Sequence, residues 1–353
     1  MHKPVIRHAR HAALVLTAVA ACGTSFGQAA SGLVQYRMEA ATVVKATGLP
    51  AERFLHLALS NPSRPDGAQA TQTIPATLGL GASLSLQNAA APATGMANSS
   101  AATGNVLLYW GCGDAVREGQ PQTISANTQV AVARAGYPSD ALPAGSAHWP
   151  AMGTAQAPIS ATASLIGPHA VSGEGIPAGL QFAVPAAQDF MPALAVTAQG
   201  GEGKALSLEW GALPTATATF WMTSAARAGD TVVWTSSELA TTGAGMLDFH
   251  GAADVGSWLA SKVVLPPAQT RCAIPPGVLQ GTDGARVQGI AYGPELRLAR
   301  NGEWSARLRA KSLTTLELDA KGKDAKAAQD KPLTPAIPGV PNLSGALKGL
   351  LGR

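Results

Sequence analysis

The apolar runs of this chain are short, partly alternate with polar residues, and are cut off by clusters of glycine, proline, asparagine and serine. A chain punctuated in this way cannot build long amphipathic helices; it favours short strands joined by turns, and so antiparallel β structure. In the first half, Leu33–Val44, Phe54–Leu59 and Val106–Trp110 read as strands. The turn-forming stretch 61–67 and the Ala/Gly/Ser-rich stretch 89–104 lie between them. In the second half, Leu180–Val184, Ala205–Trp210, Ala216–Thr223 and Thr231–Thr235 read as strands. Residues 251–264 hold one short helical pattern, with Val255, Leu259 and Val263 on a single face. Hydrophobic residues make up 46% of the chain and charged residues 13%, a balance that excludes a disordered polymer.

The first thirty residues address the chain to a compartment. Lys3, Arg7 and Arg10 give a positive start, an apolar run covers Ala12–Ala21, and small residues follow at Gly27 and Ala29. That is the layout of a secretory signal peptide, too short in its apolar part for the roughly 20 residues of a spanning helix. A cut after Ala29 makes residues 1–29 the leader; alternatively Val19-Ala20-Ala21-Cys22 resembles a lipobox and makes Cys22 a lipidation candidate. The expected location is the periplasm or the outer membrane.

Segment by segment, 30–137 reads as an N-terminal β domain and 138–178, rich in Pro, Ala, Gly and Ser, as an inter-domain connection. Residues 179–318 read as a C-terminal β-sandwich, 319–341 as a flexible basic linker and 342–353 as an amphipathic helix. In that last segment Leu343, Leu347, Leu350 and Leu351 share one helical face, with Lys348 and Arg353 beside it. Gly104-Asn105-Val106-Leu107-Leu108-Tyr109 lines up with Gly229-Asp230-Thr231-Val232-Val233-Trp234, as a diverged duplication would.

Charge is uneven. The net +4 includes three basic residues of the leader; 22–306 carry a net −4 and 307–353 a net +5. Only the tail is basic, so no nucleic-acid partner is expected. The tail instead suits an envelope protein or an anionic membrane surface, contacted through Leu343, Leu347, Lys348, Leu350, Leu351 and Arg353.

Either cut removes or lipidates Cys22 and leaves Cys112 and Cys272, an even pair that an oxidising compartment favours as a disulfide. Two packed thiols that never meet are the alternative, because sequence does not fix whether their Cα atoms fall within about 7 Å. A nucleophilic Cys112 would need a base, and His56, His148, His169 and His250 have no diagnostic spacing to it. No metal-ligand spacing or cofactor motif occurs, so no metal, cofactor or catalytic residue is expected. Gly23-Thr24-Ser25-Phe26-Gly27 matches a nucleophile elbow only in form, lying in or beside the leader without the strand and helix that motif requires. Gly200-Gly201-Glu202-Gly203-Lys204 lacks two required residues of a phosphate loop and reads as a hairpin turn. Glu238, Asp248, Asp254 and Glu295 are candidates for paired acid and base, with solvated surface carboxylates the ordinary outcome.

Two resemblances attach to quoted segments. Ala205–Trp210, the Leu213-Pro214 turn and the aromatic strand Ala216–Thr223 are similar to the central strands of fibronectin type III and immunoglobulin-like sandwiches, which bury a tryptophan between two sheets. Tyr109-Trp110-Gly111-Cys112-Gly113, Trp234-Thr235-Ser236-Ser237-Glu238, Ala291-Tyr292-Gly293-Pro294-Glu295 and Leu347–Arg353 resemble segments of an uncharacterised group of exported bacterial proteins. That resemblance implies export and no particular activity. The expectation is an all-β protein of two immunoglobulin- or fibronectin-like sandwich domains, with long loops, one internal helix and a terminal amphipathic segment. Its expected role is non-catalytic binding, scaffolding or assembly in the envelope; the alternative is a hydrolase acting on an envelope polymer.

Overall fold

The fold rests on strands whose two faces serve different purposes. In the computed structural model, β1 (Val34–Val44) sends Val34, Tyr36, Met38 and Ala40 into the main core. Its other face carries Arg37 and Glu39, then Ala41 and Val43, which join a second apolar cluster. The period of two is the strand's own, so a single chain segment feeds a core on each side of the sheet. The structure describes residues 33–319 apart from 47, 63–68, 89–103, 126–144, 152–157, 202, 242, 244 and 301. The leader with Cys22 lies outside the described residues, as does the chain after 319 with Leu343, Leu347, Lys348, Leu350, Leu351 and Arg353.

Eight strands follow β1 in the first 184 residues: β2 (Glu52–Ser60), β3 (Ala70–Thr73), β4 (Ser83–Asn88), β5 (Val106–Trp110), β6 (Gln122–Ile124), β7 (Ala147–Trp149), β8 (Gly167–Gly173) and β9 (Gln181–Val184). Then come β10 (Val196–Gly200), β11 (Leu206–Trp210), β12 (Ala218–Arg227) and β13 (Asp230–Thr235). The helix α1 (Ala252–Ala260), β14 (Arg271–Ile274) and a long hairpin of β15 (Gly284–Arg300) and β16 (Trp304–Asp319) complete the order. The fold is all-β, as its turn-punctuated sequence predicts.

Thirteen strands form one sheet in the order β6-β5-β13-β12-β15-β16-β1-β2-β7-β4-β3-β8-β9, and β10-β11-β14 form a second. Two separate sandwiches would pair strands within each half. Here β1 pairs in parallel with β16, and β5 in parallel with β13, so the halves interleave. The stretch 138–178, expected as a connection, supplies β7 and β8 to the large sheet. Its Pro/Gly content hid those strands because each is short and near other breakers. The described residues fall within one compact unit.

The duplicated-looking segments meet. The parallel register pairs Val106 with Thr231, Leu107 with Val232, Leu108 with Val233 and Tyr109 with Trp234, the same alignment as the sequence match. Where the strands begin, the Asn105 amide donates to the Asp230 carboxylate at 2.8 Å, and the Thr231 amide donates to the Asn105 carbonyl at 2.8 Å. A Cβ on Gly104 would overlap the Gly229 carbonyl, so glycine is required for this approach.

The main core lies between the sheets, with Leu208, Trp210, Cys272 and Ile274 of the small sheet packed among residues of the large one. Trp221 is fully buried and pairs with Gly289 across β12 and β15; any Cβ there would overlap the indole ring. On the opposite face, α1 covers Phe220, Met222, Ile290, Tyr292 and Leu313. The helix occupies Ala252–Ala260 of the expected 251–264: Val255 is buried, Leu259 packs beside it, and Val263 joins the same cluster just past the helix end.

Candidate functional site

Register turns scattered charged residues into a row. Glu295 on β15 pairs with Arg309 on β16, Arg309 opposes Glu39 on β1, and Glu39 opposes His56 on β2. The row alternates in charge on the face that α1 and the loop before it partly cover. Cross-strand neighbours of opposite charge at this spacing attract. One strand further, Ala58 pairs with His148 on β7, which brings the two imidazoles together with His56 Nε2 and His148 Nδ1 at 3.1 Å.

The row is held tightly at each station. Arg309 Nη2 donates to Glu39 Oε1, and His56 Nδ1 stands 3.5 Å from Glu39 Oε2. Burial opposes ionisation of Glu39, but Arg309, His56 and Arg37 together hold its carboxyl well below the usual range. Burial, reinforced by His56 and Arg37, pushes His148 down to about 4 despite the opposing pull of Glu39. His148 is therefore neutral near pH 7.

At the far end, a β-bulge between Tyr292 and Glu295 places Gly293-Pro294 inside β15. Glu295 Oε1 accepts from Arg307 Nε at 2.7 Å, and Oε2 from the Ala252 amide at 3.0 Å and Arg297 Nε at 2.9 Å. Burial raises this carboxyl's pKa, yet the amide at the start of α1 and the two guanidiniums outweigh it and lower the net value. Beside the row, Lys311 is fully buried and its ammonium donates to the Leu247 carbonyl at 2.9 Å. The same ammonium lies 4.0 Å from the Phe249 ring centroid and 3.7 Å from Asp248. Burial lowers its pKa, with Asp248 and Glu39 opposing that shift.

The other candidates separate. Cys112 and Cys272 stand at disulfide distance, Cα to Cα 5.2 Å, joining the loop after β5 to β14 of the small sheet. That pairing leaves Cys112 no free thiolate for nucleophilic attack. Two of the resembled segments meet beside it: Trp234 Nε1 donates to the Gly111 carbonyl at 3.0 Å, and Arg117 grips Glu238 through bonds of 2.8 and 2.9 Å. His169 is buried between the Gln72 amide and the Leu165 carbonyl, and His250 Nε2 donates to the Gly245 carbonyl. Asp254 sits in the first turn of α1. Gly200 closes β10 opposite Leu206 of β11, and the Lys204 amide donates to the Gly201 carbonyl at 3.2 Å, as in the hairpin turn expected there. Among the described residues, no group of three or more His, Cys, Asp or Glu side chains is placed to hold a metal ion. In the same residues no helix is long and apolar enough to cross a membrane.

Sequence reasoning missed Glu39, Arg309 and the meeting of His56 with His148. Alternation in β1 and β16 marks which residues share a face, but it does not say which strands are neighbours. No known family profile matches the chain. Nor does any curated protein match it at a significant level.

Proposed function

We propose that this chain is an exported envelope protein, periplasmic or outer-membrane-associated, whose role is binding, scaffolding or assembly. The observation that carries the reading is the pair Cys112 and Cys272 at disulfide distance, which suits an oxidising compartment and agrees with the leader-like N-terminus. The resemblance of its Tyr109–Gly113 and Ala291–Glu295 segments to exported bacterial proteins belongs to the same reading. Engagement of the charged groups supports binding over chemistry: Arg117 holds Glu238, Arg297 and Arg307 hold Glu295, and Arg309 holds Glu39. The leucine face of 342–353, with Lys348 and Arg353, is the contact to an envelope partner or an anionic membrane surface. One observation favours a second reading, a hydrolase acting on an envelope polymer: the Glu39–His56–His148 chain has the components of a general base.

Mass spectrometry of the protein isolated from its native cells tests the export. A mature start at Ala30 or at a lipidated Cys22, with both remaining cysteines blocked to alkylation before reduction, is expected. Intact protein beginning at Met1 with free thiols would refute it. With a mature start at Ala30, replacing Leu343, Leu347, Leu350 and Leu351 by Asp should move the protein from the membrane-associated to the soluble fraction.

A further inference from the structure

A pocket of about 300 Å³ opens where the β10–β11 turn faces the loop between β14 and β15. Its lining is mixed: Leu206, Ile274 and Leu279 are apolar, and Lys204, Gln280 and Thr282 are polar. Its volume is about twice the roughly 150 Å³ of a cavity that takes up benzene, room for one or two leucine side chains. Asp319, the last described residue, lies on the same lining, because β16 ends there opposite Gly284 at the start of β15. Asp319 therefore brings the chain to the pocket's rim.

After Asp319 come 34 further residues, with Leu343, Leu347, Leu350 and Leu351 near their end. A random coil of the length of 320–341 has a root-mean-square span of about 25 Å, enough to bring 343–351 back to the pocket. A tethered ligand of this kind meets its site at an effective concentration in the millimolar range, so weak insertion of leucines is enough to fill it.

We propose that this pocket is the dock for the leucine face of the chain's own segment 343–351. Docking covers the leucines until an outside contact displaces them. The site itself does not depend on the envelope assignment.

Photocrosslinking of the full chain, with p-benzoylphenylalanine in place of Leu347, tests this. The expected result is an intramolecular crosslink to peptides 203–206 or 274–285, in the monomer band and unchanged by protein dilution. Leu350→Asp with Leu351→Asp should cut its yield about tenfold, the effect of losing about 1.4 kcal/mol of binding. These tail changes leave the folded body's sequence untouched, and an unaltered Tm checks that it still folds. A crosslink only to added anionic vesicles would overturn docking while supporting the membrane contact. Crosslinks only in a dimer band, or elsewhere on the chain, would overturn docking. So would none at all, with or without vesicles, and that result would remove the membrane contact as well.

Discussion

Opening the Cys112–Cys272 bond should destabilise the protein by about 5 kcal/mol. The two cysteines are 160 residues apart, so the bond closes a very long loop in the unfolded chain. In the chain-entropy treatment a loop of that length loses about 17 cal/mol/K, or about 5 kcal/mol at 25 °C. A folded body approaching 300 residues unfolds with an entropy of about 0.6 kcal/mol/K, so the same loss lowers Tm by about 8 °C. The bond also ties β14, and with it the small sheet, to the loop after β5 in the large sheet. Calorimetry of the oxidised protein against Cys112→Ala/Cys272→Ala, and against wild type in reductant, measures both effects. A fall in Tm of less than about 2 °C in both would refute the entropic argument. Complete alkylation of the unfolded, unreduced protein would refute the bond itself.

Glu39→Gln leaves Arg309 buried with its principal counter-charge gone and should cost about 3–5 kcal/mol in urea unfolding, whereas Glu39→Met with Arg309→Leu should cost much less. Gly289→Ala forces a methyl group into the Trp221 ring and should cost about 1–3 kcal/mol by the same assay, with a changed tryptophan spectrum. His148 has a folded pKa below its unfolded value, so protons favour the unfolded chain. Its contribution should fall as the pH drops through about 6.5 and level off below about 4. The loss should be about 2 kcal/mol after allowing for the ring's residual contact with water, and His148→Phe should flatten that part of the pH profile.

Why some features were legible and others hidden follows from particular strands. Alternation in Leu33–Val44 and Phe54–Leu59 announces β1 and β2 because each buries an apolar row. The β15–β16 hairpin, which lies near the centre of the large sheet, escaped notice. Gly293-Pro294 would end a regular strand, but the bulge carries the pair inside β15, and in the sequence Arg307, Arg309 and Lys311 only add to the basic count of 307–353. In fact Arg309 and Lys311 are buried on a second covered face and hold partners there.

The amino-acid order by itself determined the strand-and-turn character, the short helix at Val255 and Leu259, and the likeness of 104–109 to 229–234. Those depend on neighbours along the chain, where turn chemistry and a two-residue period act directly. Only the tertiary structure decided that these two segments lie side by side, that Cys112 reaches Cys272, and that Glu295, Arg309, Glu39 and His56 form one row. Each joins residues far apart in sequence through strand order and register. Many orders satisfy the same alternation, and packing of the whole sheet selects among them.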